Sequence, residues 1–179
     1  MHLDESGFSQ RPSIVRTWAP QGRTPILRMA FNWKRLSVIG ALAVAPDLSQ
    51  VRTFLSPRLG NVDGPAVIAF LRSLRRHLRT PALLAWDRLG AHISRATQHH
   101  LARQRHWPEV EPLPPYAPEL DPVEVEYAWS YLDRTGLANF APDELGELAA
   151  QAQRAIRRVR RKPDLAFALL RHSGLYPEL

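Results

Sequence analysis

Two rhythms of apolar residues run along this chain. In the first, apolar residues follow one another for five to nine positions and then stop at a turn. Leu36 to Val44 (LSVIGALAV) is such a run, rich in β-branched residues, and reads as a buried strand. Pro46 and Asp47 turn the chain, and Val51 to Leu55 returns, which predicts an antiparallel hairpin. Ala82 to Trp86 is a further strand, ending at Asp87. Val110 to Leu113 is a short one, followed by the Pro-rich loop Pro114 to Pro118. Leu3 to Phe8 reads as the end of a strand.

The second rhythm is helical. Val67, Phe70, Leu71, Leu74 and Leu78 form one apolar stripe, with Arg72, Arg75, Arg76 and Arg79 away from it. Asp63 is placed to cap this helix, Pro65 lies in its first turn and Pro81 stops it. Ser94 opens a helix to about Gln104, and Asp121 to Leu132 is predicted as one helix. Asp143 to Arg161 is another, with Leu145, Leu148, Ala152, Ile156 and Val159 inward, and a last helix runs about Pro163 to Arg171. Arg11 to Pro25 has neither rhythm and reads as an extended loop or hairpin. The order predicts an α/β architecture, a mixed sheet with helices packed on it.

Length and composition sharpen this picture. The 179 residues suffice for one domain with a sizeable core, and 45% hydrophobic against 23% charged residues indicates a globular chain. The absence of cysteine excludes disulfides, thiolate metal sites and thiol nucleophiles. The longest apolar stretch, Leu36 to Pro46, is too short to span a bilayer, and MHLDESG is not a signal peptide, so the expected location is cytoplasmic. A net charge of +7 favours a polyanionic partner. Lys34 and Lys162 are the lysines, so 22 of the 24 basic residues (24 − 2) are arginine. That bias reflects either genomic base composition or guanidinium grip on phosphate.

Three carboxylates occupy the places where chemistry is expected. Asp4 lies on the first strand, Asp87 directly follows LLAW, and Glu124 falls in a helix start, with 36 residues between it and Asp87. Each also has a plain structural reading. DESG around Asp4 is turn chemistry, an Asp at a strand-to-helix loop is common, and Asp121-Pro122-Val123-Glu124 fits a variant capping box. If the three converge, they form an all-oxygen donor set suited to Mg²⁺ or Mn²⁺. Two such ions can activate an attacking oxygen and stabilise a leaving one in phosphodiester chemistry. His92, five residues after Asp87, could reach phosphate or a metal-bound water; a loop histidine is also ordinary polar surface.

At this point the motifs DESGF, TWAPQGRTP (Thr17 to Pro25), WDRLGAH and LPPYAPELDPVE together resemble the DDE-superfamily endonuclease domain, in its bacterial insertion-sequence branch related to mariner transposases. The resemblance covers about Leu3 to Phe140, and the PPYAPEL-x-PVE block is its most specific part. It implies a ribonuclease-H-like fold with a mixed five-stranded sheet, and metal-dependent DNA cleavage and strand transfer. It assigns Asp4, Asp87 and Glu124 to catalysis and to metal, with Mg²⁺ or Mn²⁺, two ions, as cofactor and no small-molecule cofactor. Expected partners are double-stranded DNA, both transposon ends and target, and a second copy of the chain. The chain departs from the pattern at Asp121, where Asn is usual, and at Asp133, where a basic residue often stands. Relatives carry N-terminal helix-turn-helix domains ahead of the motifs, and here Met1, His2 and Leu3 alone precede Asp4. The first strand is therefore expected to be truncated.

The expected organisation is a catalytic domain over residues 1–140, with helices over 141–179 packing on it. Arg16 and Arg23 around Trp18 are candidate DNA contacts, by phosphate pairing and stacking; the other reading packs Trp18 onto the domain edge. Arg157 and Arg161, in the basic run of the late helix, are candidates for sequence-independent phosphate contact. Two hypotheses remain: a transposase catalytic domain without its DNA-recognition domains, or a catalytically inactive remnant that binds DNA non-specifically or assembles with other chains.

Overall fold

In a computed structural model of the chain, residues 1–29, 34–104, 107–123 and 127–177 are described. Strand β1 is His2–Ser9, β2 Arg35–Val44 and β3 Val51–Leu59; helix α1 is Gly64–His77. Strand β4 is Leu83–Trp86, α2 Arg95–Ala102 and β5 Glu109–Pro112. Helix α3 is Tyr127–Leu132, α4 Leu145–Arg160 and α5 Pro163–Ser173. Among the described residues the strands form one five-stranded sheet in the order β3-β2-β1-β4-β5. The β1–β2 and β2–β3 pairs are antiparallel; β1–β4 and β4–β5 are parallel.

The apolar run of β2 is buried on both faces because each face carries its own core. Leu36, Val38 and Leu42 point to the face covered by α3, α4 and α5. Ile39 and Ala41 alternate to the face covered by α1 and the segment after β4. Strand β1 obeys the same alternation. Phe8 enters the first core and Leu3 the second, which fixes the faces of the residues between them. Strand β1 pairs with β2 over eight couples but with β4 over two, His2 with Ala85 and Leu3 with Trp86.

Several element ends differ from the sequence reading. Helix α1 ends at His77 because Leu78 leaves helical geometry (φ −113°, ψ 88°), before Pro81 is reached. Asp63 caps it as expected, accepting the Ala66 N–H at 3.0 Å. Asp121 does not begin a described helix. Its carboxylate accepts the Val123 N–H at 2.9 Å in a turn, and helix α3 starts at Tyr127. Helix α4 starts two residues after Asp143, with Glu144 at its cap and no side-chain capping bond.

Candidate active site

Strand register carries Asp4 and Asp87 to adjacent positions at the sheet's centre. Leu3 and Trp86 are partners in the parallel β1–β4 pair, so Asp4 and Asp87 are each the next residue along two adjacent strands. Neighbouring strands run about 4.8 Å apart, which brings two carboxylate-bearing residues 83 positions apart in sequence side by side. Asp87 lies just beyond the last residue of β4, at the carboxyl end of a central strand where α/β sheets place ligands.

The two carboxylates are held from opposite faces. Asp4 follows the alternation towards the α3 face, where Trp129 Nε1 donates to its Oδ2 at 2.6 Å. Trp129 reaches that far because it lies over Gly40, the antiparallel partner of Asp4. A Cβ on Gly40 would stand 2.6 Å from the Trp129 ring carbon Cη2, so only glycine leaves room for the indole.

Asp87 is held from the other face. His92 Nδ1 donates to Asp87 Oδ1 at 2.7 Å, and the Leu89 N–H donates to the same oxygen at 2.9 Å. The other imidazole nitrogen, His92 Nε2, donates to Glu5 Oε1 at 3.0 Å. Glu5 neighbours Asp4 but, one residue on, faces the second core. The imidazole is stacked on Trp86, with ring centroids 4.1 Å apart and 12° between planes. His92 is completely buried and the Glu5 side chain is 8% exposed, whereas that of Asp87 is 47% exposed. Burial alone would lower the His92 pKa, but bonds to Asp87 and Glu5 outweigh it and carry it to about 9. The imidazolium is thus charged at neutral pH between two carboxylates. The bond from His92 in turn holds the Asp87 carboxyl below its ordinary range, against partial burial and with help from the Leu89 N–H.

Other candidates fall in different places. Glu124 lies outside the described residues. His92, proposed from sequence to reach phosphate, has no exposed surface and spends both nitrogens on carboxylates, so it does not present itself to a nucleic acid. Arg16, Trp18 and Arg23 lie in an exposed segment without regular structure, and Trp18, 98% exposed, does not pack onto the domain edge. That segment is tied down at Val15, whose N–H and carbonyl both bond the Asn139 side chain at 3.0 Å. Arg157 and Arg161 are exposed on α4 and at its cap. Sequence reasoning missed Glu5. The signal available was its place beside Asp4, on the face that alternation turns towards the strand end bearing Asp87.

The donor set is hard. Asp4 and Asp87 offer oxygen and His92 has no nitrogen to spare, while Glu5 is turned to the other face and bonded to His92, its Oε2 buried with no hydrogen-bond partner among the described residues. Such a set fits Mg²⁺ or Mn²⁺ better than a softer metal. Among the described residues, no group of three or more His, Asp or Glu side chains is already gathered as a metal cage.

The model of the DDE superfamily endonuclease family matches residues 1–148, and the chain belongs to that family. Its fold is that of solved transposase structures. The Mos1 transposase paired-end complex with left transposon end is 17% identical, with a TM-score of 0.56 over 98% of this chain and 55% of that one. The Mos1 mariner paired end complex with Mn is 18% identical, with a TM-score of 0.55 and the same coverage. The catalytic domain of Mos1 mariner transposase is 17% identical, with a TM-score of 0.50 over 97% of this chain and 81% of that one. The chain therefore spans about half of the longer Mos1 chains it matches. No curated protein matches it in sequence.

Proposed function

We propose that this chain carries the catalytic centre of a DNA transposase, which cleaves and joins DNA strands with divalent metal. The observation that supports this reading most strongly is the β1–β4 register, which sets Asp4 beside Asp87 at a central strand end. Glu124 completes the proposed triad. Mg²⁺ or Mn²⁺ bound there, as two ions, would supply charge neutralisation at the attacking and leaving oxygens of a phosphodiester. The protein's part is to hold the carboxylates at one spacing, so that positioning costs nothing at the moment of reaction. Trp129 does this for Asp4, and the Leu89 N–H with His92 does it for Asp87.

The proposed partner is double-stranded DNA, as in the Mos1 complex with a transposon end, and includes target DNA. A groove of about 910 Å³ along β3, between α1 and α4, is lined by Arg52, Arg58, Arg157, Arg160 and Lys162, with no Asp or Glu among the described residues of its lining, although Arg58 pairs with Asp63 at 3.7 Å. It lies away from the carboxylates and offers the duplex backbone a sequence-independent contact. Arg16, Trp18 and Arg23 offer a second, and a second copy of the chain is a further proposed partner. Among the described residues no helix is long and apolar enough to cross a membrane; the placement we propose is cytoplasmic.

The test is nicking of supercoiled plasmid with Mn²⁺ by the chain, by Asp87→Asn and by Glu124→Gln. The expected result is metal-dependent nicking that both substitutions abolish. Nicking that persists in both variants would assign the activity elsewhere. No nicking by any form, with salt-sensitive DNA binding intact, would leave the non-catalytic DNA-binding reading in its place.

A further inference from the structure

We infer that His92 and Glu5 form a positioning clamp that fixes which oxygen of Asp87 is presented to metal. The inference rests on the proposed role of Asp87 as a metal ligand. Among the described residues, both donors to the Asp87 carboxylate, His92 Nδ1 and the Leu89 N–H, fall on Oδ1. Two directed bonds to one oxygen fix the torsion of a short side chain and leave the Oδ2 lone pairs outside the clamp. The carboxylate stays 47% exposed, so access is preserved while rotation is not.

The clamp needs an anchor, because an imidazole on a loop can swing. Glu5 provides it from β1, bonding the far nitrogen at 3.0 Å, and Trp86 fixes the ring plane by stacking. The Gln98 side-chain amide also bonds the His92 carbonyl at 2.9 Å, which holds the backbone. The chain of contacts thus runs from the strand bearing Asp4, through Glu5 and His92, to Asp87. One residue of β1 offers a carboxylate beside the end of β4 while the next, on the opposite face, sets the orientation of its partner. Groups that orient metal ligands in this way are generally worth about 10–100-fold in metal affinity.

Two substitutions separate the halves of the clamp. In His92→Asn the amide nitrogen stands near the place of Nδ1 and can still donate to Asp87, while the bond to Glu5 is lost. In His92→Gln the amide nitrogen stands near the place of Nε2, so the bond to Glu5 can persist and the grip on Asp87 is lost. Calorimetric titration with Mn²⁺ alone, on wild type, both variants, Glu5→Gln and Asp87→Asn, reads the outcome, with thermal melts confirming that each variant is folded.

The expected pattern is loss of binding in Asp87→Asn, weakening by about tenfold or more in His92→Gln, and a smaller loss in His92→Asn and in Glu5→Gln. A purely structural role would lower the melting temperature of both His92 variants alike and leave Mn²⁺ affinity unchanged, which would overturn the clamp. Loss of binding in Asp87→Asn with wild-type affinity in His92→Gln would also overturn the clamp while leaving the metal site in place. Unchanged binding in Asp87→Asn would overturn both.

Discussion

Asp4 on β1 and Asp87 just past the end of neighbouring β4 are held in different ways. Asp4 takes a bond from a neutral indole that comes across one core, over a glycine. Asp87 takes a bond from an imidazolium buried in the other core, which a second carboxylate anchors. The first arrangement depends on packing and the second on charge. The site thereby draws rigidity from both layers of helices, and damage to either core should reach it by a different route.

The largest expected effect is at the charged side. His92→Ala would leave Glu5, with a side chain 8% exposed, buried without its partner. Breaking a buried pair by removing one member typically costs about 3–5 kcal/mol, and urea denaturation should show a loss of that order. A loss below about 1 kcal/mol would mean that Glu5 finds water or another donor, and the two sides would not differ as described.

The packing side should respond less. Trp129→Phe keeps an aromatic ring but removes the Nε1 donor to Asp4, an expected cost of about 1.5–3 kcal/mol for a bond to a charged group. Gly40→Ala should cost about 1–3 kcal/mol by pressing on Cη2 of the indole. In the Trp129→Phe background, where that atom is absent, Gly40→Ala should cost clearly less. A double-mutant cycle with no coupling would show that the indole does not lie over Gly40.

Away from both sides the effects should be small. Asp63→Ala removes the cap of α1 and should cost about 1 kcal/mol with no change in Mn²⁺ affinity. Trp18→Ala, at a residue 98% exposed, should change stability by less than about 0.5 kcal/mol while weakening DNA binding. A large stability loss there would show that Trp18 packs against the domain.

The same contrast separates what was legible in the sequence from what was not. Strands β2, β3 and β4 and helix α1 are written in local rhythm, because burial on one or two faces repeats with the period of the element. The family resemblance is borne out by the match over residues 1–148, and the mixed sheet by the fold. Local capping signals were less dependable. Asp121 has the chemistry of a helix cap but uses it to close a turn at Val123, since a carboxylate satisfies either backbone with the same bond. The imidazole of His92 looked like loop surface because its partners lie 5 and 87 residues away in the chain, and only the sheet's register brings Glu5 to it. The bond from Trp129 to Asp4 spans 125 positions and carries no local signature.

The central claim, that Asp4 and Asp87 serve one metal site, is tested most directly by a crystal structure of the protein with Mn²⁺ and its anomalous difference density. The account predicts a peak within about 2.2 Å of a carboxylate oxygen from each of the two residues, the range for hard cations on oxygen. A peak bound by Asp87 alone, or density confined to a site remote from Asp4 on β1 and the end of β4, would contradict it.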